Sequence, residues 1–117
     1  MDHKELEVWK ESIELVKQLY VISQQLPSDE KFGLISQIRR AAVSVPTNIS
    51  EGSSRKSTKE FIQFLYISLG SISEIETLIE ISQNLRMIEQ GPLRILAKDL
   101  ESTKRMLISL IKKLKTK

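Results

Sequence analysis

Leu93, Leu96, Leu100, Thr103, Leu107, Leu110 and Leu114 follow one another at alternating intervals of three and four residues. Only an α-helix brings positions so spaced to one side, and a heptad rhythm sustained this long suits a helix that packs on other helices. The same intervals recur upstream, while strict alternation is scarce, so the whole chain is expected to be all-α. At 117 residues it fits a single domain with one core, burying about two thirds of the surface that the unfolded chain exposes.

Punctuation divides the pattern into four helices, expected at about 4–26, 30–51, 58–85 and 92–115. Pro27 disfavours helix at Leu26, and Ser28 or Asp29 can cap the second helix. Gly52 and the serines after it are expected to stop that helix, Ser57 and Glu60 have the spacing of a capping box, and Pro92 suits a first helical turn. Short connections between such helices predict an antiparallel up-down-up-down four-helix bundle.

The second helix carries a proline at its centre. Pro46 removes a hydrogen bond to the carbonyl of Ala42 and crowds that turn, costing about 3 kcal/mol if nothing compensates. The apolar spacing of Leu34, Ile38, Ala42, Val45 and Ile49 continues across it in register, which predicts a helix kinked at Pro46 over one that breaks. Gln37, Arg40, Ser44, Asn48, Glu51 and Arg55 form a second, polar face, either a solvated surface or a contact. Ala41, Ala42 and Ser44 are small enough for a close neighbour, and folding back about residues 52–57 brings Arg39 and Arg40 level with Gly70 to Glu74. Pairing of Arg39 or Arg40 with Glu74 or Glu76 is expected, with Gly70 marking a close helix approach.

Helices one and three carry more apolar surface than one bundle seam requires. Helix one has Leu6, Trp9, Ile13, Val16 and Tyr20 on one stripe and Val8, Leu15, Leu19, Ile22 and Leu26 on the next; helix three is similarly broad. A larger core could absorb this surface, but a homo-oligomer that covers it is the preferred expectation.

Charge is unevenly spread. Residues 1–91 hold ten Lys/Arg against thirteen Asp/Glu, and residues 92–117 hold eight against two. The excess at the end suggests a polyanion or an acidic neighbouring surface as partner. Candidate phosphate contacts are Arg55, Lys56 and Lys59 around the second turn, and Lys104, Arg105, Lys112, Lys113, Lys115 and Lys117 on the fourth helix. Lysines at a helix C-terminus are also favoured by the helix dipole alone, and in sequence no aromatic residue lies among them for base stacking.

Catalysis finds little support. There is no cysteine, the single histidine is His3 in an end expected to fray, and no Glu-x-x-His pair is present for a di-metal bundle. "EGSSRKS" lacks the spacing of a phosphate-binding loop. No cofactor, metal or small-molecule substrate is expected. A charged N-terminus and the lack of a long apolar run predict a cytoplasmic protein with no membrane partner.

The segments "ELEVWKESIELV", "LPSDEKFGLISQIRRAAVSVPTNISEGSSR" and "EFIQFLYISLGSISEIETLIEIS", with the heptad helix after them, resemble the four-helix-bundle proteins encoded in 23S rRNA intervening sequences. The long pattern from Gly33 to Gly52, which includes Gln37, Arg40, Pro46, Asn48 and Glu51, is the most specific part. The resemblance implies a bundle assembled into a homopentameric ring with no known enzymatic activity; together with the basic helix ends it leads to an expected association with RNA or a ribonucleoprotein. It also implies a distant relation to the accessory protein of diversity-generating retroelements, hence an alternative role as a scaffold for a nucleic-acid enzyme such as a reverse transcriptase. The sequence departs from the family pattern at "NLRMIEQGP", where Arg86 occupies the usual glycine position.

Overall fold

The computed structural model describes residues 2–116, apart from the side chain of Glu5. Four helices account for most of them: α1 (Glu7–Ser23), α2 (Leu34–Ser53), α3 (Thr58–Asn84) and α4 (Gln90–Lys115), with no strand among the described residues. Two short 3-10 turns, His3–Glu5 and Ser28–Glu30, precede α1 and α2.

The helix ends differ from the sequence expectation for local reasons. Asp2 accepts the Lys4 N–H and draws His3–Glu5 into a separate turn, and Leu6 is extended before α1 begins. His3 is held there, its ring edge-on to Trp9 with centroids 5.1 Å apart. After Ser23 the backbone tightens into three successive three-residue turns, so α1 closes before Pro27. The start of α2 is displaced to Leu34, whose N–H is capped by Glu30 Oε1 at 3.2 Å. Ser57 does cap α3, its Oγ accepting the Glu60 N–H at 3.1 Å.

Arg86 is the one described non-glycine residue in the left-handed region, with φ 57°. Met87 N–H donates to Ser82 O and Arg86 N–H to Gln83 O, both at 2.9 Å, the paired bonds that close a helix through a left-handed residue. Arginine performs the turn that glycine performs with less steric cost.

Each helix packs on its two neighbours in the cyclic order α1, α2, α3, α4, most extensively α2 on α3. Ser44 meets Ser71 while Gly52 faces Phe61; Glu76 meets Lys104 while Tyr66 meets Lys115; Gln18 meets Asp99 while Gln25 meets Glu89. In each pair one number rises as the other falls, so neighbouring helices run in opposite directions. The result is a rod of 46 × 25 × 20 Å. Its core joins Leu15, Leu19, Ile38, Ile49, Leu65, Ile72, Ile75, Leu96 and Leu107. The buried hydroxyls of Ser12, Ser23, Ser82 and Thr103 donate to carbonyls of their own helices, and among the described residues no buried side-chain polar atom lacks a partner.

α2 runs unbroken through Pro46. Small residues bring α3 against it there. Ser44 and Ser71 hydroxyls are 2.8 Å apart, Asn48 Nδ2 donates to both Ser44 O and Ser44 Oγ, and the Ser68 hydroxyl donates to Val45 O at 2.9 Å. A close approach of α3 lies at Gly52, where a Cβ would stand 2.7 Å from Phe64 Cβ and 2.9 Å from Phe61 Cδ1. Gly52 therefore does not stop α2 as expected; it lies inside the helix and admits α3. Gly70, expected to mark that approach, would bring its Cβ within 4 Å of nothing.

Candidate nucleic-acid interface

The antiparallel order gathers the basic segments at one end of the rod. The C-terminus of α2, the N-terminus of α3 and the C-terminus of α4 all lie there, with Arg55, Lys56, Lys59, Lys112, Lys113 and Lys115. A hydrogen bond joins the two groups: Lys115 Nζ donates to the Tyr66 hydroxyl at 2.9 Å, from α4 to α3. Lys117 lies outside the described residues.

Neighbouring carboxylates sort these cations. Lys104 bonds both carboxylate oxygens of Glu76, at 3.1 and 3.2 Å, and is half-buried on the α3–α4 seam. It is a packing residue. Arg105 lies 3.9 Å from Glu101 on its own helix, and Arg55 lies 3.3 Å from Glu51 with its guanidinium 5.0 Å from the Phe64 ring centroid. Lys56, Lys59, Lys112, Lys113 and Lys115 are exposed and have no carboxylate within 4 Å among the described residues.

The helix dipole favours the three lysines in the last turn of α4. It does the reverse for Lys59 in the first turn of α3, where the backbone N–H groups already carry positive potential. A lysine at such a place is not stabilised by the dipole of its own helix.

The expected pairing of Arg39 or Arg40 with Glu74 or Glu76 is not formed. Arg39 turns toward α1 instead, donating to Ser23 Oγ at 2.9 Å with its guanidinium 4.7 Å from the Tyr20 centroid. Arg40 reaches Ser36 on its own helix at 3.4 Å, and Glu76 is taken by Lys104. The physical reason is lateral: Ser44 and Asn48 occupy the α2–α3 seam, leaving Gln37 and Arg40 exposed and Arg39 on the α1 side. Glu74 is exposed.

In sequence no aromatic residue lies among the cations, but the fold sets two beside them. Phe64 stands beside Arg55, and Tyr66, 49% exposed, beside Lys115. They are separated in sequence from the lysines of α4, and folding brings them together. A signal was present in α3, where Lys59, Gln63, Tyr66 and Gly70 follow at intervals of four, three and four on one exposed stripe.

Among the described residues no three His, Asp or Glu side chains cluster as metal ligands, and no helix is long and apolar enough to cross a membrane.

A sequence model of the 23S rRNA-intervening sequence proteins matches residues 4–109. Among solved structures, the chain is similar to a protein of unknown function from the S23 ribosomal protein family of Bacteroides thetaiotaomicron. The TM-score is 0.82 at 27% sequence identity, covering 90% of this chain and 98% of that one. No curated protein matches the chain.

Proposed function

The chain belongs to the 23S rRNA-intervening sequence protein family, and from that premise we propose that it is a non-enzymatic, oligomeric helical bundle of the cytoplasm that associates with RNA or a ribonucleoprotein through its basic end. The observation that carries this reading is the convergence of Lys56 and Lys59 with Lys112, Lys113 and Lys115, all exposed and, among the described residues, without a carboxylate within 4 Å. Lysines so placed neutralise phosphates without reading bases, which gives affinity with little sequence preference. In a homo-oligomer, the pentamer being the form expected, each weak patch is repeated, and binding at one subunit raises the effective concentration at the next.

Apolar side chains left exposed support self-association. Val21, Phe32, Leu85 and Ile95 are each more than half exposed, and all lie toward the end opposite the lysines. Association through that end would cover them and leave the basic end free.

A second reading, a scaffold for a nucleic-acid enzyme that does not itself touch RNA, draws on the same apolar residues. The two separate in one measurement. Binding of a labelled RNA is followed against salt for the parent and for a variant with Lys112, Lys113, Lys115 and Lys117 changed to Gln. The first reading expects the slope of log affinity on log salt to shrink by about 0.7–0.9 for each phosphate that the variant no longer neutralises. No binding by the parent, or a slope that the substitutions leave unchanged, rejects it.

A further inference from the structure

The stripe of Lys59, Gln63, Tyr66 and Gly70 is not accounted for by packing, since all four residues are exposed. Two features of it need explanation. Glycine weakens a helix interior relative to alanine, and Gly70 has no close neighbour that requires it. A large aromatic ring left half in water forgoes burial that the adjacent core could provide.

The geometry of Lys115 on Tyr66 bears on both. Its Nζ is 2.9 Å from the phenolic oxygen and 5.4 Å from the ring centroid. The second distance is nearly the first plus the length from the ring centre to its own oxygen. The ammonium therefore sits off the hydroxyl edge, and neither face of the ring is capped by it. Side chains on a helix lean toward its N-terminus, so a residue at position 70 would cover the surface beside Tyr66; glycine leaves it bare. Lys59 lies two turns before Tyr66 on the same stripe, Gln63 offers an amide between them, and Lys115 stands at the ring edge.

We propose that this stripe binds single-stranded nucleic acid, with an unpaired base stacked on Tyr66 and the flanking phosphates held by Lys59 and Lys115. The inference rests on the reading of the preceding subsection and names its substrate class. A ring can stack only on a base whose face is free, and cations beside it hold the backbone of the same strand. Duplex bases are already stacked, so a duplex engages the lysines alone.

The test compares Tyr66→Leu and Tyr66→Phe with the parent on three fluorescent probes: an unstructured RNA, a DNA of the same sequence, and the RNA duplex. Tyr66 is half exposed, and thermal melting followed by circular dichroism verifies that each variant is folded. Tyr66→Leu is expected to weaken binding to the single strands at least about fivefold, with duplex binding unchanged. Tyr66→Phe, which retains the ring, is expected to bind close to the parent. Equal loss on both single strands identifies base and phosphate as the recognised groups; loss confined to the RNA adds the 2′-hydroxyl. Single-strand binding unaffected by Tyr66→Leu, yet abolished on neutralising the lysines, overturns the stacking proposal and leaves the preceding reading standing. No binding of any probe by the parent overturns both.

Discussion

Two glycines with the same helical backbone class have opposite standing in this protein. At Gly52 a methyl group would meet Phe64 Cβ, which is fixed to the α3 backbone, so relief requires the helices to part. Gly52→Ala is expected to lower unfolding stability by about 1–3 kcal/mol. At Gly70 there is open space and φ is not positive, so the same change gains helix propensity and is expected to raise stability by about 0.5–1 kcal/mol. Urea denaturation of the two variants checks both signs; a gain from Gly52→Ala would mean that α3 does not approach α2 where described. Arg86 shows the complementary case, a bulky residue in the left-handed position because the turn between α3 and α4 demands it.

Among the elements, α2 and α3 form the tightest pair, held by serine, alanine and glycine, and α4 is tied to α3 by charge as well as leucine. The heptad of α4 is buried at Leu93, Leu96, Leu100, Thr103, Leu107 and Leu114, but at the last step but one Ile111 replaces Leu110 in the core. A straight helix advances 3.6 residues per turn and drifts from a seven-residue repeat, so over three heptads the buried position slips by one. The ion pair that bridges α3 and α4 is Glu76 with Lys104, each about a third or more exposed. A double-mutant cycle is expected to give a coupling of about 0.2–1 kcal/mol for this pair and none for Arg40 with Glu74. Coupling of Arg40 with Glu74 would restore the pairing expected from register alone.

The whole molecule is a rod with unlike ends. Cations from α3 and α4 occupy one, and exposed Val21, Phe32, Leu85 and Ile95 lie toward the other. Light scattering on a size-exclusion column is expected to give five times the chain mass, and Val21→Asp with Ile95→Asp to dissociate the particle without loss of helicity. A parent that stays monomeric at high concentration removes the avidity on which weak lysine sites depend. The sequence alone determined the number of helices, most of their buried positions and the passage of α2 through Pro46, because these follow from spacings of three and four within a segment. It also identified which segment is most basic, since charge can be counted without coordinates. Tertiary structure decided the partners: Arg39 with α1, Lys104 with Glu76, Gly52 and not Gly70 against α3, and Tyr66 beside Lys115. Such choices depend on the rotation of each helix about its axis and on side-chain reach across a seam, quantities that a pattern along one helix does not contain.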